Sequence, residues 1–102
     1  MKIAWTTTET LEQAKTLAYQ CVEAELAACA QISSPITSIY RWKDAVEEST
    51  EYRITLKCLD SKFKELQQLV LKNHPYDTPQ WVAAELTVVS EGYQAWAEGA
   101  DS

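Results

Sequence analysis

The chain has few of the residues that interrupt regular structure. Its 102 residues include only 2 glycines and 3 prolines, so we expect long elements joined by few loops. A glycine-rich phosphate-binding loop needs several closely spaced glycines. Gly92 and Gly99 are the only glycines in the sequence, and a loop of that type is therefore excluded.

Basic residues are also scarce. Lys and Arg total 9 against 15 Asp and Glu, which gives a formal net charge of −6. We expect no nucleic-acid partner, because nonspecific affinity for phosphate depends on clustered basic side chains. No apolar run approaches the roughly 18 residues of a membrane-spanning helix, and the first residues do not resemble a signal peptide. These features favour a cytoplasmic protein with no membrane partner.

Cysteine usage points to the same compartment. The three cysteines, Cys21, Cys29 and Cys58, are an odd number and contain no Cys-x-x-Cys pair. A disulfide framework is therefore not expected, and a reducing cytosol is the simpler location. The absence of a Met-x-Cys-x-x-Cys segment also excludes a copper chaperone of the usual kind. Each cysteine is most simply a small buried hydrophobic residue.

Local patterns predict the first strand and helix. Residues 2–7 are short and rich in β-forming residues, which is typical of a strand. Thr10 with Gln13 forms a capping-box pattern, and the following apolar residues recur at helical spacing to about Ala27. The sequence therefore predicts a strand and then a helix of nearly five turns.

The next segment predicts a long hairpin. Residues 28–32 are strand-like, 33–35 interrupt the strand at a proline, and 36–42 continue it. Residues 43–48 are polar and turn-like, and 52–58 alternate between apolar and polar residues with period two. Such a hairpin cannot bury its whole length on one small domain, so its far end needs a partner.

The C-terminal part predicts two helices and one strand. Residues 60–61 can cap a helix that ends near Asn73. Residues 81–89 resemble a fourth strand, and Ser90 can cap a short last helix that stops at Gly99.

The order of elements defines the fold class. A β-α-β-β-α-β order with right-handed crossovers gives an α+β, ferredoxin-like split βαβ sandwich, here with an extra C-terminal helix. We expect one domain over residues 1–102. One sheet face would lack a helical cover, so we expect self-association to cover it.

The residues also resemble the CutA family, the divalent-cation-tolerance proteins, over nearly the whole length. The resemblance implies a ferredoxin-like homotrimer whose long hairpins pair between subunits. It also implies a non-enzymatic role in divalent-cation, particularly copper, homeostasis. The segments that carry the resemblance are Glu25-Leu26-Ala27-Ala28-Cys29, Ser38-Ile39-Tyr40-Arg41-Trp42-Lys43, His74-Pro75-Tyr76 with Pro79, and Tyr93-x-x-Trp96.

Four positions depart from the usual family pattern. Asp44 stands where glycine usually follows Trp-Lys, and Gln80 stands where glutamate is usual. Glu25 replaces an arginine, and Gln31 replaces a common asparagine. None of these changes is expected to break the fold, since Asp is itself a turn residue.

His74, the only histidine, and Cys29 are the candidate metal ligands. A neutral imidazole is a plausible ligand for copper, zinc or nickel. The resemblance implies Cu(II) or another divalent cation near His74, with help from a histidine and a cysteine at places that hold Asn73 and Trp5 here. The alternative is that His74 hydrogen-bonds the last carbonyls of its helix.

Other readings stay open at this stage. Ferredoxin-like trimers also include P-II-type regulatory modules, which suggests small-ligand binding in inter-subunit clefts. A hydrolase or transferase using Cys29 and His74 is a further possibility. Tyr40 and Trp42 are expected to be interface packing rather than a stacking platform for bases. The acidic cluster of Glu47, Glu48 and Glu51 predicts a solvated hairpin tip or a weak hard-cation site.

Overall fold

An antiparallel sheet and three helices make up the computed structural model, which describes residues 1–99. The α+β class predicted from the sequence is confirmed. Among the described residues, no helix is long and apolar enough to span a membrane. The elements in chain order are β1 (Lys2–Thr8), α1 (Leu11–Glu23), β2 (Cys29–Ile32), β3 (Ile36–Trp42), β4 (Ala45–Cys58), α2 (Phe63–Asn73), β5 (Val82–Glu85) and α3 (Glu91–Ala97).

Strand β4 organises the sheet. Its inner half, residues 52–58, pairs with β1 on one side and β2 on the other, which gives the order β2-β4-β1-β5. Its outer half, residues 45–51, pairs with β3. All four strand pairs are antiparallel. Because β3 and β4 extend beyond the other strands, they form a projecting hairpin.

The core lies between one face of the sheet and helices α1 and α2. Alternate residues of β4 face the helices, because successive side chains of a strand point to opposite faces. The largest fully buried apolar side chains are Leu17, Ile54, Leu56, Leu66 and Val70. Burying side chains of this size contributes about 1.5–3 kcal/mol each relative to exposure.

The start of α1 follows local rules. The Thr10 side chain accepts a hydrogen bond from the Gln13 backbone N–H (3.1 Å), and the Gln13 side chain accepts one from the Thr10 N–H (3.2 Å). The predicted capping box is therefore confirmed. At the other end the prediction was wrong, since the helix ends at Glu23 rather than near Ala27.

A Schellman motif ends α1 early. Glu25 has a φ of 60°, a left-handed conformation that favours glycine. The Glu25 N–H donates to the Val22 carbonyl (2.9 Å) and the Leu26 N–H to the Cys21 carbonyl (3.1 Å). These bonds satisfy the last helical carbonyls and turn the chain toward β2.

An extra residue separates β2 from β3. Ile32 pairs with Ile54 and Ile36 pairs with Glu51. Residues 33–35 therefore lie opposite only two residues of β4, 52 and 53. The Ser33 hydroxyl accepts a hydrogen bond from the Arg53 N–H (2.9 Å) in place of a regular ladder bond. The predicted interruption at residues 33–35 is confirmed, and it acts as a bulge that bends the outer hairpin.

The hairpin turn is tighter than the polar segment 43–48 predicted. Lys43 and Asp44 have φ values of 49° and 64°, and Trp42 pairs directly with Ala45. Two consecutive left-handed residues form the two-residue turn that suits twisted hairpins. The molecule is consequently elongated, with extents of 48 × 25 × 24 Å.

Two C-terminal boundaries also differ from prediction. Residues 60–62 form a 3₁₀ turn, and α2 begins after Lys62 with no side-chain cap. The Asp60 carboxylate lies instead 3.5 Å from the N-terminal ammonium of Met1 and 3.7 Å from the Lys2 ammonium. Strand β5 stops at Glu85 rather than Val89, since it pairs only with β1, which begins at Lys2. The predicted cap of α3 is confirmed, as Ser90 Oγ accepts from the Tyr93 N–H (3.3 Å).

We predict that Glu25→Gly stabilises the protein. Glycine adopts a positive φ without the steric cost that a Cβ atom incurs. The free energy of unfolding should rise by about 0.5–1 kcal/mol in urea denaturation at fixed protein concentration. Glu25→Ala is the matched control, since it removes the same carboxylate but keeps a Cβ. A gain of equal size in Glu25→Ala would assign the effect to charge instead of backbone conformation.

Candidate functional site

His74 lies where α2 ends against β1, and both of its ring nitrogens have partners. Nδ1 accepts a hydrogen bond from the Tyr76 backbone N–H (3.0 Å). Nε2 lies 2.9 Å from the Thr7 carbonyl oxygen and 2.9 Å from Thr6 Oγ1. Since Nδ1 is an acceptor, the ring proton is on Nε2, which donates toward Thr7. The expected bonds to the last carbonyls of α2 are replaced by bonds to β1.

The surroundings of His74 favour its neutral form. Burial lowers the pKa of His74 below its usual value of 6.5, although the Thr7 carbonyl and the Glu51 carboxylate oppose this shift. Protonation of Nδ1 would also place two donors opposite each other and break the hydrogen bond from the Tyr76 N–H. The histidine is therefore a structural link between β1 and the segment that follows α2.

Tyr76 continues this link to the hairpin. Its hydroxyl donates a hydrogen bond to Glu51 Oε2 (2.9 Å), and its ring lies 5.0 Å from that of His74 between centroids. Burial raises the pKa of Tyr76, and the hydrogen bond to Glu51 raises it further. The tyrosine therefore stays protonated and holds the Glu51 carboxylate in place.

A groove of about 790 Å³ opens between the hairpin and the segment 76–80. We call it the hairpin groove; its size is within the usual range for small-ligand sites. Three of its residues carry carboxylates and none is basic. The lining residues are Thr7, Glu9, Ser38, Ile39, Tyr40, Trp42, Ser49, Thr50, Glu51, Tyr76, Asp77, Thr78 and Gln80.

The second sequence candidate, Cys29, lies elsewhere on the sheet. It pairs with Lys57 at the other end of the β2–β4 ladder. The Tyr93 hydroxyl is buried, and burial next to Cys29 raises the pKa of Tyr93. The Lys57 ammonium lies 5.7 Å from the centroid of the Tyr93 ring. Cys29 thus belongs to the contact between the sheet and α3.

Sheet register separates Cys29 from His74. Thr6, which contacts His74, pairs with Ile54, and Ile54 pairs with Ile32 of β2. Cys29 is three residues from Ile32, or about 10 Å along the strand. Two strand spacings add about 10 Å across the sheet. Within one chain the two residues do not share a site.

The donor set does not fit a resident metal ion in a single chain. Within residues 1–99, no group of three or more His, Cys, Asp or Glu side chains is arranged to hold a metal. Both nitrogens of His74 already form hydrogen bonds, whereas a metal site needs three or four free donors. Metal binding by His74 and Cys29 stays a prediction that would need donors from outside one chain.

The acidic cluster of the hairpin divides between two faces of the ribbon. Strand alternation puts Glu47 and Glu51 on one face and Glu48 on the other, with Glu47 opposite Tyr40 and Glu48 opposite Ile39. Only Glu51 lines the hairpin groove. The cluster therefore does not converge on one cation.

Sequence reasoning missed the hairpin groove. Glu9 and Asp77 lie 42 and 26 residues from Glu51 in the sequence, yet all three line it. The only signal was the rigid segment between Pro75 and Pro79, which forms one wall.

Comparisons with known proteins agree on one family. Residues 2–100 match the sequence profile of the family described as CutA1 divalent ion tolerance protein. The probable divalent-cation tolerance protein cutA homolog of Encephalitozoon cuniculi is 40% identical over 87 residues, 85% of this chain and 75% of its own length. The divalent-cation tolerance protein CutA of Thermus thermophilus is 38% identical over 85 residues, 83% of this chain and 82% of its own.

Solved structures give the same result. The divalent ion tolerance protein CutA1 from Ehrlichia chaffeensis superimposes with a TM-score of 0.93 at 32% identity, covering 99% of this chain and 94% of that one. CutA from Synechococcus elongatus gives 0.92 at 35% identity, covering 99% and 89%. Sequence and fold therefore agree along almost the whole chain.

We predict that His74 makes stability depend on pH. Its folded-state pKa lies below 6.5, so the unfolded state binds more protons, and the free energy of unfolding falls as pH drops from about 7 through the folded pKa. Glutamine retains a donor and an acceptor but does not titrate. The difference between wild type and His74→Gln in urea denaturation should therefore change between pH 7.5 and pH 5, with wild type losing more. A constant difference would contradict this assignment.

Proposed function

The chain belongs to the CutA1 divalent ion tolerance family, and from that premise we propose that it is a non-enzymatic homotrimer with a ferredoxin-like protomer. It would act in divalent-cation, particularly copper, homeostasis in the cytoplasm. The split β-α-β order and the sheet order β2-β4-β1-β5 support the ferredoxin-like assignment. The described cysteines are all free, which suits a reducing compartment.

Exposed apolar side chains on the projecting hairpin are the observation that carries the trimer. Ile39 is 67% exposed and Val46 is 68% exposed. The pairings Ile39 with Glu48 and Arg41 with Val46 put both on the same face as diagonal neighbours. A projecting ribbon that exposes apolar side chains between Arg41 and Glu48 presents surface that a second copy can cover.

Strand edges strengthen this proposal. Within the described residues, β3 pairs only with β4, and β5 pairs only with β1. Unpaired edges are usually covered, shortened or charged, and closed symmetry is the common way for copies of one chain to cover them. A cyclic trimer in which each hairpin packs on the next chain would cover the exposed hairpin face.

The thiols support a non-enzymatic role. Burial raises the pKa of Cys21 to about 12, and burial also raises the pKa of Cys58. Both thiols are therefore protonated near neutral pH and are poor nucleophiles. Cys29 lacks a histidine base, because sheet register keeps His74 away from it. A Cys-His hydrolase or transferase is correspondingly disfavoured.

Divalent-cation binding forms the weaker part of the proposal. A copper ion at His74 would have to replace the hydrogen bond between Nδ1 and the Tyr76 N–H or that between Nε2 and Thr7. Cys29 could contribute only from another subunit. We therefore propose weak binding that depends on assembly, and no step is assigned to a resident metal.

A small-ligand regulatory module of the P-II type is the second candidate. The hairpin groove favours it, because its volume suits a small molecule. Its carboxylates repel the phosphates of a nucleotide, so a cationic ligand is the better match. The two candidates are compatible, since a trimer in metal homeostasis can also bind a small ligand.

We predict that a charge on the apolar hairpin face dissociates the trimer. Sedimentation of wild type at micromolar concentration should give a species of three times 11.5 kDa. Val46→Glu should give monomer or aggregate, because it puts a carboxylate into an apolar contact. Gln20→Glu adds the same charge on the exposed surface of α1 and should leave the trimer intact. A wild-type monomer, or an intact Val46→Glu trimer, would contradict the proposal.

We predict that copper binding to tag-free protein is weak and depends on His74. Calorimetric titration with Cu(II) should show binding in wild type that His74→Ala abolishes and Cys29→Ser reduces. Gln68→Ala, an exposed change on α2, is the matched control. Binding that persists unchanged in His74→Ala removes His74 from the proposal.

A further inference from the structure

Helix α3 lies on the sheet face that α1 and α2 leave open. Leu56 and Cys58 belong to the buried core that those two helices cover, so Lys57, between them in β4, points to the opposite face. Cys29 is the register partner of Lys57 and shares that face. The Lys57 ammonium lies 5.7 Å from the centroid of the Tyr93 ring, and α3 therefore packs over Cys29.

The packing of α3 on this face is shallow. None of the residues Glu91–Ala97 is buried, whereas both longer helices contribute fully buried residues to the core. Trp96, the largest side chain of α3, is 44% exposed. The hydrogen bonds of α3 run within the helix and to its N-cap, where the Tyr93 N–H donates to Ser90 Oγ. Few buried apolar contacts are typical of elements that open locally.

Tyr93 carries a polar group that the sheet does not satisfy. Its hydroxyl is buried, and within the described residues no group stands in hydrogen-bonding geometry to it. The Cys29 thiol lies next to it, but a thiol is only a weak acceptor. Water would satisfy the same hydroxyl if α3 were detached. Leaving it unpaired therefore shifts the equilibrium toward the detached helix by roughly tenfold.

The segment before α3 lets the helix move as a unit. The Leu86 N–H still donates to the Met1 carbonyl (2.9 Å), but residues 87–90 are irregular, and Val88 among them is 85% exposed. A hinge at 87–90 therefore connects α3 to the sheet. Because a helix of seven residues is too short to be stable alone in water, α3 unfolds when it leaves the sheet.

We propose that α3 is a strap that detaches from the sheet while the rest of the chain stays folded, and that its detachment uncovers the Cys29 thiol. The main core lies on the other face of the sheet, so it remains packed when α3 leaves. Soft cations and electrophiles are the partners of a thiolate. The strap therefore controls when such a reactant reaches Cys29, and this control requires neither the hairpin groove nor a resident metal.

Iodoacetamide labelling of the full chain, measured for each cysteine by peptide mass spectrometry, tests this proposal. Cys21 and Cys58 are fully buried in the core and report global unfolding. Cys29 should be labelled much faster than either, and the amides of α3 should exchange hydrogen faster than those of β4. Equal labelling rates for all three thiols would mean that α3 opens only with the whole chain, and the proposal would be wrong.

Two variants separate opening of the strap from permanent exposure of the thiol. Tyr93→Phe removes the unpaired hydroxyl but retains the ring, so labelling of Cys29 should slow by roughly tenfold. Ser90→Ala removes the N-cap of α3 and should accelerate labelling by roughly fivefold. Tyr19→Phe removes a hydroxyl from a residue of α1 that is 64% exposed and should leave the rate unchanged. A rate that Tyr93→Phe leaves unaffected or raises, or that Tyr19→Phe changes equally, would overturn the proposal.

Sedimentation of the same samples distinguishes opening from dissociation. All variants are compared at a protein concentration at which wild type sediments as one species. A change in the labelling of Cys29 with unchanged sedimentation and unchanged labelling of Cys21 and Cys58 supports the strap. If Ser90→Ala accelerates all three thiols in parallel, or accelerates Cys29 only as smaller species appear, then α3 is not an independent unit and the proposal fails.

Discussion

The hydrogen-bonded continuity of β4 is the constraint on which the rest of the structure depends. One strand of 14 residues pairs with β1 and β2 in the sheet and with β3 beyond it. Its inner half supplies Ile54 and Leu56 to the core, and its outer half supplies Glu51 to the hairpin groove. Packing, the exposed ribbon and the candidate site therefore all depend on one continuous strand, whose register with its neighbours fixes the face on which each side chain lies.

Local signals predicted the elements well, and long-range contacts decided where they end. The capping box of Thr10 and Gln13 is a contact between near neighbours, so the sequence shows it directly. Asp60 looked like a helix cap by the same logic, but its carboxylate pairs with Lys2, 58 residues earlier. The left-handed backbone at Glu25 could not be predicted, because the position does not hold the glycine that usually marks such a conformation.

The candidate site depends on long-range contacts even more than the ends of the helices and strands do. Residue type identified His74 as a possible ligand, yet its nitrogens bond to Thr7 and Tyr76, and only the tertiary structure brings Thr7 to it. Register then separates His74 from Cys29. The groove that does form takes residues from β1, from the hairpin and from the segment after α2. Periodicity describes each segment alone, so it cannot place carboxylates from three segments around one space.

The bulge between β2 and β3 has a mechanical consequence. Ser33 replaces a ladder bond with a side-chain bond to Arg53 on one side of the ribbon, whereas β4 passes the same level without a break. The outer hairpin is therefore joined to the sheet by an unbroken strand on the β4 side and by a bulge on the β3 side. We therefore expect a displacement of the hairpin tip to be transmitted to the buried part of the sheet through β4, and the bulge to accommodate the resulting difference in length between the two strands.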